Sequence, residues 1–282
     1  MTKRLVAGPW TGEFGWEVMS WQGYIRKLAP QYDEVIVSSF VGNEALYADF
    51  AHKYIPHNIE GLRDCWYMRP RNPEHLGKLF SHMKSLGGDM VLPNKYIPIE
   101  RQKFIRYGNS AQMPRYDLLI HARKPVGKWP GRAWPPQKWN ELIRRLAAQR
   151  FRMAAIGTEA YVPEGVVDFT HLKLAEVLDI MASSVMIVGP SSGPMPLASL
   201  CGTPQLVWSD SQRYCAIGCN NRQRFETLWN PFRTPCRVMD AYAWQPPVPI
   251  IEVAILECIE SWKPKQKLCF SEASSTSGVA VL

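Results

Sequence analysis

A run of small residues after an apolar segment is the strongest candidate for an anion-binding site in this sequence. Residues 187–198 read Ile-Val-Gly-Pro-Ser-Ser-Gly-Pro-Met-Pro-Leu-Ala. This order predicts a strand, a tight turn and a helix start, where free backbone N–H groups and the helix dipole favour negative charge. We therefore assign Ser191, Ser192, Gly193 and Met195 to a phosphate-binding turn, with the two hydroxyls as additional donors. A plain strand–helix connection is the alternative.

The same turn matches the Gly-x-Ser-x-Gly pattern of α/β-hydrolases through Gly189, Ser191 and Gly193. In that fold the catalytic histidine follows the serine along the chain. All six histidines of this sequence precede Ser191, the last of them being His171. The order of residues therefore argues against a hydrolase.

A second glycine-rich turn, Gly8-x3-Gly12-x2-Gly15, carries the candidate catalytic carboxylate. It lacks both the Gly-x-Gly pair of dinucleotide-binding turns and the Gly-Lys-Ser/Thr of a Walker loop. Glu13 on this loop could act as a general base, and Glu17 could do so one helical turn later. Either carboxylate could instead cap the following helix. The acceptor-side residues that we predict here are Gly12, Phe14, Gly15, Trp16 and Glu17.

Further candidate ligands follow two predicted strands. Arg123 and Lys128 come after a strand that ends at Ala122, where they could neutralise a diphosphate, and Glu159 comes after a strand that ends at Gly157, where it could bind a ribose diol. The window from Arg115 to Arg152 holds ten basic and two acidic residues, so it alone accounts for the net charge of +8. Such a window suits phosphate, although a solvated helix face explains part of it.

The elements that must position these residues alternate between strand and helix along the 282-residue chain. This rhythm predicts an α/β protein with parallel sheets and helices on their faces. We expect two α/β domains, 1–112 and 113–248, then a closing helix over 249–262 and a disordered tail over 263–282. Ligands should bind beyond the carboxyl ends of the strands, in the cleft between the domains. A helix is also expected over 43–54.

Cysteines and hydropathy predict the compartment. No apolar run approaches the length of a membrane span, and the N-terminus lacks a signal core. The seven cysteines form no disulfide framework, and Cys215-x3-Cys219 with Cys236 lacks the further ligands of a zinc site. We expect a cytoplasmic protein with reduced thiols, in the host cytoplasm if it is viral, and no metal.

Together these motifs resemble the GT-B glycosyltransferases, in particular the ADP-heptose:lipopolysaccharide heptosyltransferases of glycosyltransferase family 9. The matching segments are Arg123–Pro130, Trp134–Trp139, Gly157–Glu159, Gly189–Ala198 and Gly202–Pro204, with Gly12–Gly15 in the position of the acceptor loop. The family's Asp-Ser/Thr-Gly-x-x-His is replaced here by Ser191–Pro196.

The resemblance implies two Rossmann-like domains facing a cleft and a metal-independent, inverting transfer from a nucleotide-diphosphate sugar. It implies that Glu13 deprotonates the acceptor, that Arg123, Lys128 and the turn at Ser192–Gly193 stabilise the leaving diphosphate, and that Glu159 holds the nucleoside.

The acceptor is open at this stage. The basic window and the aromatic residues near Glu13 favour a hydroxymethylated pyrimidine in DNA, of the kind that phage enzymes glycosylate. A lipopolysaccharide or another glycan is the alternative. A nucleotide-sugar 2-epimerase and a non-catalytic binding module also remain open.

Overall fold

The computed structural model describes residues 2–59, 61–64, 67–70, 73–93, 95–109, 114–125, 130–158, 160–215 and 217–262, with backbone alone for 61–64 and 67–70. The predicted tail 263–282 lies outside these residues. Within them the chain forms two parallel sheets flanked by helices, which confirms the predicted α/β class.

The strands are β1 (Arg4–Ala7), β2 (Glu34–Phe40), β3 (Lys53–His57), β4 (Gly61–Asp64), β5 (Tyr67–Pro70), β6 (Asp89–Val91), β7 (Tyr116–Ile120), β8 (Met153–Ile156), β9 (Val167–Phe169), β10 (Ser184–Pro190), β11 (Gln205–Trp208) and β12 (Cys236–Met239). The helices are α1 (Phe14–Trp16), α2 (Gln22–Leu28), α3 (Pro73–Ser85), α4 (Pro136–Ala148), α5 (Leu174–Ala182), α6 (Pro194–Cys201), α7 (Asn221–Gln223) and α8 (Val248–Trp262). A π-helical turn, Glu17–Trp21, joins α1 to α2, and a second one, Arg224–Leu228, follows α7.

The N-terminal sheet has the order β3-β2-β1-β6, and all its pairs are parallel. Its inner strand β1 is a short apolar run in which Leu5, Val6 and Ala7 are fully buried. A strand covered on both faces requires this composition, because neither set of side chains meets water. The antiparallel hairpin β4-β5 stands apart from this sheet.

The C-terminal sheet has the order β12-β11-β10-β7-β8-β9, again with parallel pairs. The inner strands β10 and β7 are buried along Met186–Val188 and Leu118–Ile120. The two candidate loops follow β1 and β10, so each begins at the carboxyl end of an inner strand.

Two helices confirm the sequence periodicity most directly. Trp139, Leu142, Ile143 and Leu146 of α4 are buried, as are Ile251, Ala254, Ile255, Cys258 and Ile259 of α8. Both helices pack in one apolar cluster with β7, β10 and β11. This packing fixes the C-terminal sheet from which the candidate phosphate turn projects.

The helix predicted over 43–54 is wrong. A single 3₁₀ turn covers Glu44–Leu46, and Lys53–His57 forms the edge strand β3. This strand pairs with β2, and the Tyr54 hydroxyl donates to the Phe40 carbonyl oxygen at 2.6 Å. The ladder and side-chain hydrogen bonds of the sheet outweigh a local pattern that could also form a helix.

The segment between the sheets is held by a buried cation. The Arg26 side chain is 3% exposed, although an arginine is rarely buried so completely. It donates to Asp49 at 2.8 Å, to the Leu46 carbonyl oxygen at 2.8 Å and to the Tyr107 hydroxyl at 2.5 Å. Tyr107 lies in the segment between β6 and β7, and its backbone N–H donates to the Leu200 carbonyl oxygen at 3.1 Å. The connection therefore packs against both halves of the molecule.

Within the part of the chain that the structure describes, no helix combines the length and the apolar character needed to cross a membrane.

Two adjacent glycines before β6 provide a matched test of backbone packing. Gly87 and Gly88 both have left-handed φ angles, +69° and +106°, but a Cβ on Gly87 would meet open space whereas one on Gly88 would lie 2.5 Å from the Arg4 carbonyl oxygen. Gly87→Ala should cost about 1–2 kcal/mol of backbone strain. Gly88→Ala should cost about 1–3 kcal/mol more because of the clash. Urea unfolding measures both, and equal losses would contradict this packing.

Candidate functional site

Glu13 lies at the end of the loop that follows β1. It occupies the N-cap position of α1, yet its side chain makes no capping hydrogen bond, so the structure does not support the capping alternative. The carboxylate is partly exposed and interacts electrostatically with Arg132 of the C-terminal half. A carboxylate is a group that can take the proton of a hydroxyl group during a transfer reaction.

Glu17 has a different environment and does not support its prediction as an acceptor-side residue or base. Its side chain is fully buried. It accepts hydrogen bonds from the Tyr47 hydroxyl at 2.6 Å, from Asn43 Nδ2 at 2.7 Å and from the Ser39 hydroxyl. Burial and then the Glu17 charge raise the pKa of Tyr47 well above its usual value, so Tyr47 remains a donor. Glu17 therefore ties the start of the π-helical turn to β2 from inside the N-terminal half.

The residues around Glu13 contact the C-terminal half. A Cβ on Gly193 would lie 3.3 Å from the Phe14 ring, and one on Gly15 would lie 3.5 Å from the Trp229 ring. Trp16 is buried and meets the Trp229 ring edge to face, with 5.0 Å between centroids. Gly12 is buried on the same loop. The two predicted loops are therefore brought together, but Trp16 serves as packing rather than as an exposed acceptor contact.

The turn after β10 has the predicted strand–turn–helix form. The Ser191 N–H donates to the Trp208 carbonyl oxygen at 2.9 Å, and the Met195 N–H donates to the Ser192 carbonyl oxygen at 3.1 Å. Among the described residues, the N–H groups of Ser192 and Gly193 donate to no backbone carbonyl, so they are the backbone donors that an anion could use.

Met195 does not fit its predicted role in phosphate binding. Its side chain is fully buried and lies next to Gly189, where an added Cβ would meet the Met195 sulfur at 3.4 Å. Its N–H is already used within the turn, so Met195 acts as packing beneath the site.

The hydroxyl of Ser191 is engaged by an arginine that the sequence interpretation missed. Arg224 donates to the Ser191 hydroxyl oxygen at 2.9 Å and also to Asn221 Oδ1. The Ser191 hydroxyl lies 3.4 Å from the same Asn221 oxygen, and the side chain of Ser191 is buried. Ser191 therefore positions the Arg224 guanidinium beside the turn.

Ser192 is bound to a histidine. The two atoms Ser192 Oγ and His121 Nε2 are 2.5 Å apart, and His121 Nδ1 lies 3.1 Å from the Ile156 carbonyl oxygen. Burial, and to a lesser extent the Arg123 charge, lowers the pKa of His121 to about 4. The neutral ring donates from Nδ1 to the carbonyl, so Nε2 must accept the Ser192 proton. The Ser192 hydroxyl proton is therefore used by His121, and the role of this hydroxyl as a donor to phosphate stays a prediction that this hydrogen bond does not favour.

Two glycines make room for this histidine. A Cβ on Gly157, whose φ is +104°, would lie 2.6 Å from His121 Nδ1, and one on Gly189 would lie 2.9 Å from the His121 carbonyl oxygen. These are glycines of the predicted motifs Gly157–Glu159 and Gly189–Ala198. Gly157 lets the imidazole lie against the backbone just after β8, and Gly189 leaves room on β10 for the carbonyl group and Cβ of His121.

Arg132 interacts electrostatically with three other arginines and with Glu13. Burial first, then the charges of Arg224 and Arg123, lower the pKa of Arg132 to about 10, with a smaller lowering by Arg213 and an opposing rise from Glu13. We call Arg123, Arg132, Arg213 and Arg224 the arginine cluster. Because like charges are held close together, a bound anion lowers the energy of this arrangement.

The arginine cluster comes from three separate parts of the chain. Arg123 follows β7 and forms a backbone bridge with Ala160. Arg132 ends a 3₁₀ turn, with its guanidinium 4.7 Å from the Trp244 ring centroid, and Arg213 lies 3.9 Å from Asp210. The predicted ligands Lys128 and Glu159 lie outside the described residues.

The sequence predicts Glu13, Arg123 and the two loops as parts of the site. His121, Arg213 and Arg224 were not among the predicted residues. Residues 210–248 lack the periodicity of a long helix. The available signal was Asn220, whose side chain accepts from the Gln223 N–H at 2.8 Å and thereby starts the helix that leads into Arg224.

Among the described residues, no three His, Cys, Asp or Glu side chains are grouped as metal ligands would be.

Substitution of Glu17 should lower the free energy of unfolding more than substitution of Glu13. In Glu17→Gln an amide N–H₂ replaces an acceptor among three buried donors, so each donor that loses its partner should cost about 1–3 kcal/mol. Glu13→Gln, at a partly exposed position, should cost about 1 kcal/mol or less. Chemical denaturation measures both variants, and a Glu17→Gln protein as stable as the wild type would rule out the buried network.

The neutral state of His121 predicts a pH-dependent stability. Its pKa is about 4 in the folded chain against 6.5 for an unperturbed imidazole, so the unfolded chain binds more protons between these values. The free energy of unfolding of the wild type should therefore fall by about 2 kcal/mol, because of His121, as the pH falls from 7 to 5. His121→Gln, which cannot take up the proton, should lose correspondingly less. Identical losses in urea unfolding at both pH values would contradict a buried neutral His121.

No protein-family model matches the sequence, and no curated protein is significantly similar to it. Three solved structures with similar folds are a glycosyl transferase family 9 protein from Veillonella parvula, the E. coli ADP-heptose lipopolysaccharide heptosyltransferase II, and the E. coli heptosyltransferase WaaC with ADP. The first has a TM-score of 0.58 at 10% identity and covers 92% of this chain and 97% of its own. The second has a TM-score of 0.58 at 12% identity and covers 92% of this chain and 99% of its own. The third has a TM-score of 0.55 at 13% identity and covers 90% of this chain and 99% of its own. The chain therefore has the GT-B fold that these family 9 glycosyltransferases share.

Proposed function

We propose that this protein is a glycosyltransferase that moves a sugar from a nucleotide-diphosphate sugar to a hydroxyl group of an acceptor glycan. The observation that carries the proposal is the convergence of Glu13 and the arginine cluster where the loops after β1 and β10 meet. The GT-B fold adds support, since the solved structures of similar fold are named as glycosyltransferases.

In this proposal Glu13 is the general base. Its carboxylate takes the proton of the acceptor hydroxyl as that oxygen forms a bond to the anomeric carbon of the donor sugar. The bond from the anomeric carbon to the diphosphate oxygen breaks, and the diphosphate leaves with the bonding electron pair. Attack from the face opposite the diphosphate inverts the anomeric centre.

The arginine cluster and the start of α6 stabilise the leaving group. A nucleoside diphosphate gains negative charge as it departs, and preorganised cations and N–H groups lower the energy of that charge without reorganising. Arg224, fixed by Ser191 and Asn221, and the N–H groups of Ser192 and Gly193 are the described groups suited to this role. We include Lys128 and Glu159 as nucleotide ligands on the resemblance alone. Because side chains supply the positive charge, we propose that the transfer needs no metal.

The glycan acceptor is favoured over the hydroxymethylated pyrimidine that the sequence suggested. One of the three structures of similar fold described above is named for lipopolysaccharide, and none of the three is named for DNA. Trp16, one of the aromatic residues offered for stacking on a flipped base, is buried against Trp229.

Transfer can be tested with a panel of ADP-, UDP-, GDP- and CMP-linked sugars, each offered with truncated lipopolysaccharide and, separately, with an oligonucleotide containing 5-hydroxymethylcytosine. We expect a gain of one sugar mass on the glycan with one of the donors, unaffected by a metal chelator. Glu13→Gln should lower turnover by about 10²–10⁴-fold while nucleotide binding persists.

The matched control is Glu164→Gln, which changes an exposed glutamate of the C-terminal half and should leave turnover unchanged. Transfer to the oligonucleotide alone would replace the glycan acceptor by DNA. Full activity of Glu13→Gln would exclude this carboxylate as the base. Interconversion of the donor sugar without transfer would indicate an epimerase, and binding without any turnover would indicate a non-catalytic module.

A further inference from the structure

A short hairpin turn between Tyr214 and Asn220 places two cysteines opposite each other. Tyr214 and Asn220 form an antiparallel bridge, so the next residues inward, Cys215 and Cys219, face one another in register. The Cys215 N–H donates to the Cys219 carbonyl oxygen at 2.8 Å, and the Gly218 N–H donates to the Cys215 carbonyl oxygen at 2.9 Å.

The two sulfur atoms lie side by side. Both thiols are free, and their Sγ atoms are 2.7 Å apart. Cys219 is buried at 4% exposure, whereas Cys215 is partly exposed and can be reached by a small molecule. No further His, Cys, Asp or Glu of the described residues completes a metal site around them.

The surroundings of the two thiols shift their pKa values in opposite directions. The hydrogen bond from the Cys219 thiol, supported by backbone N–H groups and the positive charge of Arg224, lowers the pKa of Cys215 to about 6. The same hydrogen bond, together with burial, raises the pKa of Cys219. Cys215 is therefore the sulfur that carries negative charge near neutral pH, and a thiolate is the form that attacks disulfides.

We propose that Cys215 and Cys219 form a reversible thiol–disulfide exchange site whose oxidant is a low-molecular-weight disulfide such as oxidised glutathione. The Cys215 thiolate attacks one sulfur of that disulfide, forms a mixed disulfide and releases one thiolate. Cys219 then loses its proton and attacks Cys215 Sγ, which forms the intramolecular bond and expels the second thiolate. Two electrons pass from the protein to the small disulfide, which leaves as two thiolates. Cys219 releases one proton, and any further proton that these thiolates take up comes from water.

The site is independent of the proposed transferase function but lies next to the residues that carry it. Arg213 precedes the turn, and Arg224 follows it and interacts with both sulfurs. Oxidation consumes the Cys215 thiolate, so it removes a negative charge from the neighbourhood of the arginine cluster. The redox state of the pair and the charge of the anion site are thereby coupled.

The test uses the full chain. Reduced protein is incubated with oxidised glutathione, remaining thiols are alkylated, and the digest is analysed by mass spectrometry. We expect one linkage between the Cys215 and Cys219 peptides, reversed by a dithiol reductant. In the reduced protein, Cys215 should react with an alkylating reagent about tenfold or more faster than Cys236, whose pKa is raised to about 12 by burial.

Two variants and a control make the outcome decisive. Cys215→Ser and Cys219→Ser should each abolish the linkage, and the partly exposed position 215 keeps the test valid if the buried substitution impairs folding. Cys236→Ser removes a cysteine from β12 and should leave the linkage intact. Alkylation of both thiols after glutathione treatment, a glutathione adduct that persists on Cys215, or a bond to any other cysteine would overturn the proposal. None of these results depends on sugar transfer.

Discussion

The contact of Trp229 with the loop after β1 is the interaction on which the arrangement of the candidate site depends. The Trp229 ring meets Trp16 edge to face and lies over Gly15, while the Arg224 guanidinium stands 4.4 Å from its centroid. One indole thus links the loop that carries Glu13 to the arginine that holds Ser191. Since aromatic contacts of this kind bury a large apolar area and prefer defined geometries, they fix the spacing between Glu13 and the turn after β10, which come from different sheets.

Electrostatic crowding distinguishes this site from ordinary surface charge. The arginine cluster holds like charges near one another, partly out of water, and Glu13 is the acid that opposes them at Arg132. Such an arrangement raises the energy of the empty protein and lowers that of the complex with an anion. His121, buried beside Arg123, avoids adding to the repulsion because its pKa is lowered to about 4 and the ring stays neutral. The turn can therefore use a histidine for positioning without adding a cation.

The parts of the fold that sequence could predict are those whose signals are local. Strands such as β1 and β10 are short apolar runs next to glycines, and α4 and α8 show the helical spacing of buried residues. The helix predicted over 43–54 is wrong at its end because Lys53 and Tyr54 pair with β2, a contact between segments that are separated along the chain.

The same distinction between local signals and contacts of distant segments applies to the residues of the candidate site. Loops that begin at strand ends could be predicted, and so could an acid or a cation on them. Arg224 could not, since it reaches Ser191 from 33 residues away through a short capped helix and a π-helical turn. Nor could the pairing of His121 with Ser192, which depends on the register of β7 against β10. The contrast between Glu13 and Glu17 illustrates this limit, because both residues are glutamates and they lie one helical turn apart. Only burial among Ser39, Asn43 and Tyr47 makes one of them structural and leaves the other to face the arginines.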